Sequence, residues 1–347
     1  PASTSERGFL VDVAQSELYI NNDSWEIKPS AILIRKKYIN VDSLSVRSRD
    51  KHILANGTIS SGGKHSFNLD FSRLNLHELS SIAGINAKLD GDITGNLTYR
   101  KSEGNPYVFS DLVVDTLYFN DQLIGPSSLN AEWNESRKKI HIMLQSKLND
   151  TRTIDVDGEF TPANKILDFD IYLNEFQLKA LSPYTESIAE DLNGTGDVHI
   201  TVDGTLNRPE LNGTIGFNEG AATILFLNTR YTFNDPVRIY NNNLYFENFT
   251  AFDEHGNTGK IYGSISNSYF RDFYTNIRIE ARNLKCMNTR SVDNDVFYGT
   301  IYATGDLTIN GSPNDLSLDI DARTNKNTAL FLPLFNAREV QNADFIT

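Results

Sequence analysis

The 347 residues are enough for one large all-β body or two ordinary domains, and a charged fraction of 22% excludes disorder on compositional grounds. The formal net charge of −13 repels phosphate backbones and anionic headgroups, which argues against nucleic acid as a partner and against a polybasic membrane anchor. The lone cysteine, Cys286, excludes an internal disulfide and a cysteine-based metal site, and no apolar run approaches the ~18 residues of a membrane helix.

Along the chain, the opening PASTSERGF carries no signal-peptide core. The spacing predicts a short helix over 74–82. In 140–144, Ile140, Ile142 and Leu144 alternate with His141 and Met143. Next, Phe169, Ile171 and Leu173 alternate with Asp168, Asp170 and Tyr172. A second short helix is predicted over 182–189, with Ser182 as its N-cap and Pro183 at its first position. Strands then follow at Val198, Ile200 and Val202, at Ile277, Ile279 and Ala281, and at Leu316, Leu318 and Ile320, each interleaved with polar residues. The chain stops at Asp344-Phe345-Ile346-Thr347 within an alternating pattern, which reads as a piece of something longer.

Because side chains alternate across a strand, each such segment has one apolar and one polar face. That pattern belongs to antiparallel or solenoid-like sheet rather than to a parallel sheet covered on both sides. Three glycine-bearing stretches look alike: 91–99 with Gly95, 194–200 with Gly196 and 299–309 with Gly305, followed by Pro106, Pro209 and Pro313. They imply similar sheet modules stacked end to end, over 1–90, 91–193 and 194–298, with 299–347 starting another, in one continuous body. About twenty strands at ~4.8 Å spacing would make that body about 100 Å long.

The run 192–196, a strand, Asp203-Gly204-Thr205, then Arg208-Pro209-Glu210-Leu211-Asn212-Gly213, is similar to the G-x-G … G-x-x-x-x-P-x-L-x-G pattern of TamB proteins in the AsmA-like superfamily. Gly220-Ala221-Ala222 with 227–231, 252–257 with 261–265, and 297–299 with Gly305-Asp306-Leu307 resemble later steps of that pattern in the same order. The resemblance covers roughly Leu178 to Thr328, and the Asn-, Asp- and Tyr-rich style is similar to the Bacteroidetes branch. It implies an elongated, repetitive, curved β-sheet, taco-shaped, with a hydrophobic interior and a few short helices. It implies a periplasmic segment of a protein anchored in the inner membrane, which shields phospholipid acyl chains between the two membranes. An Omp85-family outer-membrane barrel would be met through parts of the parent protein outside this chain.

Alternation alone leaves two readings open for the apolar rows: a closed β-sandwich core, or an open trough. The resemblance favours the trough. Its candidate lining is Leu97, Leu144, Phe169, Ile171, Val198, Ile200, Val202, Ile215, Phe217, Ile261, Ile277, Ile279, Leu307, Ile309, Leu316, Leu318 and Ile320. A scaffold that pairs its sheet edge with nascent barrel strands is the alternative function.

No nucleophile elbow, P-loop or dinucleotide fingerprint is found, so no catalysis and no cofactor are expected. The six histidines are scattered without metal-ligand spacing. Asp155-Val156-Asp157-Gly158 reads as a turn at a strand end rather than a calcium loop, and 253–257 as a turn.

Overall fold

The computed structural model describes residues 8–20, 23–36, 38–60, 65–83, 87–102, 105–294 and 296–333, and the expected chain end at 344–347 lies outside them. The first strands are β1 (Phe9–Val13), β2 (Ser16–Ile20), β3 (Asp23–Ile27), β4 (Ser30–Arg35), β5 (Tyr38–Ser48), β6 (Lys51–Ser60) and β7 (His65–Asn75). After helix α1 (Leu76–Ala83) come β8 (Leu89–Asp90), β9 (Asp92–Ser102), β10 (Asn105–Phe119), β11 (Gln122–Asn134), β12 (Lys139–Leu148), β13 (Thr151–Thr161) and β14 (Ile166–Gln177). A 3-10 turn (Leu178–Leu181) and helix α2 (Ser182–Thr185) lead to β15 (Ala189–Thr205), β16 (Arg208–Ile224), β17 (Thr229–Phe233), β18 (Val237–Tyr240) and β19 (Asn243–Phe252). The last are β20 (Thr258–Ser268), β21 (Arg271–Thr289), β22 (Tyr298–Ser312), β23 (Asp315–Thr324) and β24 (Ala329–Phe331).

All 24 strands belong to one sheet, and every pairing is antiparallel, as the one-sided alternation requires. The chain meanders, each rung pairing with the next. Five rungs are split between two strands (β1/β2, β3/β4, β8/β9, β17/β18 and β23/β24), so the 24 strands make nineteen rungs. At ~4.8 Å per spacing the ladder runs about 86 Å. The exposed area is 22246 Å², against about 14,000 Å² for a compact monomer of 39.0 kDa. The body is therefore an elongated, largely single-layered sheet. Of the positions where modules were expected to meet, 193–194 lie inside β15, 90–91 fall at the junction of β8 and β9, and 298–299 open β22.

A line of β-bulges runs near one long rim. Register shifts fall at 71–74 in β7, 114–118 in β10, 173–176 in β14, 246–249 in β19 and 281–284 in β21. A bulge bends its strand and increases the local twist. A row of them creases the sheet along its length.

Four bulged residues share one device. Arg73, Glu175, Glu219 and Asn283 have φ between 51° and 52°. Their backbone N–H groups donate to side chains on the next rung: Thr94 Oγ1 (3.0 Å), Asp197 Oδ1 (2.8 Å), Asn234 Oδ1 (2.7 Å) and Thr304 Oγ1 (2.9 Å). Each cap satisfies a donor that the bulge removes from the ladder.

The repeat in the sequence reflects this crease. Gly95 and Gly305 directly follow the caps Thr94 and Thr304, and both have φ near 150° (149° and 152°). Gly196 precedes its cap, Asp197, so it is two residues out of structural register with the other two. Val198 holds the equivalent place.

Helix α1 forms where expected, two residues later. Asn75 is its N-cap, its Oδ1 accepting from the N–H groups of His77 (2.9 Å) and Glu78 (3.3 Å). The second helix differs from expectation. A 3-10 turn begins at Leu178, Ser182 is already helical (φ −49°, ψ −42°) and so cannot cap, and the helix is a single turn ending at Thr185. Asn120 Nδ2 fastens this connector by donating to the Ala180 carbonyl at 2.8 Å.

Two-residue turns at Asn120-Asp121, Asn149-Asp150 and Asn241-Asn242 take positive φ at both positions, as type I′ hairpins need. Tyr269-Phe270 does the same (φ 50° and 64°) with two bulky aromatics. Such residues are strained there. The double substitution Tyr269→Asn with Phe270→Gly is expected to raise unfolding free energy by about 1–2 kcal/mol in urea titration.

Candidate functional site

Residues opposite one another in an antiparallel ladder point to the same face. Starting at Ile93, the pairings run through Val114, Ser127, Ser146, Ile154, Leu173, Val198, Ile215 and Val237. A parallel row runs through Leu112, Leu129, Leu144, Val156, Ile171 and Ile200. Further along, Ile261 stands opposite Ile279, which stands opposite Leu307 and then Ile320. Likewise Ile277 meets Ile309, then Leu318. By this register the seventeen residues expected from alternation share one face.

None of the seventeen is buried. Fourteen are half-exposed, and Leu316, Leu318 and Ile320 are 49%, 55% and 64% exposed. The facing rows of a closed sandwich would be covered by a second sheet. Here the one sheet curls around its own apolar face and leaves it partly open.

A half-open cavity of about 710 Å³ lies against this face between β8 and β16. Of the seventeen, Leu144, Val198, Ile200, Ile215 and Phe217 line it. Leu97, Phe169, Ile171 and Val202 lie nearer the open rim of the same face, and the other eight lie beyond β18. Apart from Leu173, which belongs to an alternating row, the rest of the wall comes from residues that alternation missed. Ile93, Leu112, Val114 and Leu129 belong to the same rows, whereas Leu117, Phe119 and Phe176 follow bulges, where the period of two is broken. Leu76, Leu178 and Leu181 come from the helical connectors.

Along the crease the wall is small. Ser127 and Ser146 stand opposite one another with their hydroxyls 2.6 Å apart, and Ser127 Oγ also donates to the Gly125 carbonyl at 3.0 Å. The two polar groups satisfy each other, so the crease stays effectively apolar without filling the space in front of it.

Both ends of the cavity meet packed side chains. On one side Trp25, Leu74, Ile93 and Val114 form a buried cluster supported by Phe71, Leu76 and Leu79. On the other, Phe217, Phe233, Phe246 and Phe249 pack edge-on or tilted with ring centroids 5.1–6.2 Å apart. Such geometry is favourable for aromatic pairs.

The opposite face is polar. Arg278 Nη2 lies 2.8 Å from Asp306 and 3.2 Å from Glu280, Arg238 pairs with Glu247 at 2.7 Å, and Tyr172 stacks on His199 at 4.2 Å. Exposed pairs of this kind contribute roughly 0–1 kcal/mol each, so their main effect is to keep this face wetted.

The 253–257 turn forms as expected. Asp253 is 4% exposed, and its carboxylate accepts from the backbone N–H groups of His255, Asn257 and Lys285, each at 2.9 Å, and from the Asn257 amide. Burial pushes this carboxyl up, but the donors outweigh it and hold the group below the usual carboxylate range. A lowered folded pKa adds stability that is present above the unfolded value, ~3.9, and lost as pH falls through the folded value. Asp253→Ala is expected to cost about 2 kcal/mol at neutral pH in urea titration, and to flatten the loss of stability below about pH 4.

Asp155 to Gly158 does not make the expected strand-end turn. It lies in the middle of β13, where Asp157 stands opposite Met143 and Asp170. Burial pushes up the Cys286 thiol, whose Sγ sits 3.3 Å from the Leu284 carbonyl. Among the described residues no His, Cys, Asp and Glu cluster is placed to hold a metal, and no helix is long and apolar enough to cross a membrane. Compared with protein-family models, with curated proteins and with solved structures, the chain matches none.

Proposed function

We propose that this chain shields lipid acyl chains in its apolar groove, as the periplasmic segment of an inner-membrane-anchored bridge that resembles TamB proteins and passes phospholipid between the two membranes. The observation that carries this reading is the continuous, half-exposed apolar face with its cavity of about 710 Å³. Apolar surface left open to water costs free energy, and each buried CH₂ of an acyl chain recovers about 0.8 kcal/mol. The headgroup would stay at the open rim, where the wetted outer face begins. Occupancy by hydrocarbon then needs no basic headgroup site, in keeping with a net charge of −13.

The test is transfer of an acyl-labelled phospholipid between donor and acceptor vesicles. The purified chain is expected to accelerate it, and Ile279→Asp to slow it again. No acceleration by the wild-type chain would count against the reading.

A second reading has its own observation. Strand β23 is exposed at all ten of its residues and, among the described residues, has an unpaired antiparallel edge. A scaffold for outer-membrane barrel strands would use that edge, and would leave vesicle transfer unchanged while binding a strand-forming peptide.

A further inference from the structure

We infer that the groove is divided, with an acyl-chain site between Leu76 and the aromatic cluster, and with Phe217, Phe233, Phe246 and Phe249 acting as the barrier that closes it. This rests on the lipid-shielding reading and specifies where in the groove a chain resides.

The cavity wall runs from Ile93 in β9 to Phe217 in β16, eight adjacent rungs. Seven spacings of ~4.8 Å make that span about 34 Å. Its volume of about 710 Å³ is thus drawn out along the ladder as a trough, a shape that suits an extended hydrocarbon chain.

The barrier follows from register. Phe217 stands opposite Gly196, Phe233 opposite Gly220 and Ala251, and Phe246 opposite Gly263. The Phe233 ring fills the space that a side chain on Gly220 would take, and the four rings pack into one cluster. Phe249, 7% exposed, is at their centre, with its ring 5.5 Å from Phe233 and 5.7 Å from Phe246. Beyond them the groove face resumes with Ile261 and Ile279. A chain moving along the groove has to displace these rings, so the groove holds lipid in stages rather than offering one uniform slide.

Residue-resolved photo-crosslinking tests this on the full 347-residue chain. The probe is a long saturated fatty acid with a diazirine near its methyl end, read out by peptide mass spectrometry. Wild type is expected to label groove residues between β9 and β16, with at least tenfold less label on β20 to β22. Phe249→Ala should carry label across to β20 to β22, and the milder Phe217→Leu should do so in part while keeping the sheet folded. Arg278→Ala, on the wetted outer face, should leave the pattern unchanged. Even labelling of the whole groove in wild type, or a pattern unmoved by either phenylalanine variant, would overturn the division. An absence of label anywhere on the groove face would instead overturn the lipid-shielding reading itself.

Discussion

Ile200→Asp is expected to lower acyl-chain affinity by about 100-fold, ~3 kcal/mol, while leaving the sheet folded. Ile200 is half-buried in the cavity wall, opposite Ile171 and Gly213. In the empty groove a carboxylate there keeps access to water, so the fold tolerates it. With hydrocarbon in place it loses that water and gains no donor, which costs roughly 2–7 kcal/mol for a polar group left unpaired. The introduced carboxyl should therefore titrate upward on loading, and binding should recover in part as pH falls. Ile320→Asp is the matched comparison, because Ile320 is 64% exposed, lies far from the cavity and should change affinity less than twofold. Displacement of a fluorescent fatty acid measures both, with circular dichroism as the check on folding.

Gly95→Val has the largest expected effect on stability, a loss of about 4 kcal/mol in urea denaturation. At φ 149° an L-residue is strained, and a Cβ would overlap the Asp111 carbonyl oxygen and crowd the Leu112 Cα on the neighbouring strand. Neither atom can yield, since both belong to the backbone of a paired strand. The crease next to Thr94 would open, and the loss should exceed that of Thr94→Val, which removes only the cap on Arg73 and costs about 1 kcal/mol. Gly305 meets the Asp321 carbonyl and the Ala322 backbone in the same way, so Gly305→Val should behave alike.

The sheet was legible because its lower half is regular. Over 169–173, 198–202, 277–281 and 316–320 the strands keep a strict period of two, and ladder register carries it from rung to rung. The crease was legible only as a repeat of glycines. Alternation stops at each bulge, so Leu117, Phe119 and Phe176 fall out of phase with the rows they extend. The mismatch at Gly196 has the same origin: the repeat marks a capped bulge, and glycine sits on either side of the cap. The aromatic barrier was hidden for another reason. Its four rings come from three rungs, β16, β17 and β19, and meet across them, with Phe233 lying over Gly220. No local spacing encodes that meeting. The choice between covered core and open groove was likewise beyond alternation, which gives the same rows in both cases.

The central claim is that hydrocarbon occupies the groove in place of protein. Native mass spectrometry of the gently purified chain, followed by organic extraction, tests it most directly. The account predicts acyl lipid at about one molecule per chain in wild type and its near-complete loss in Ile200→Asp. Wild-type protein that is free of lipid and takes up none from mixed micelles would contradict it.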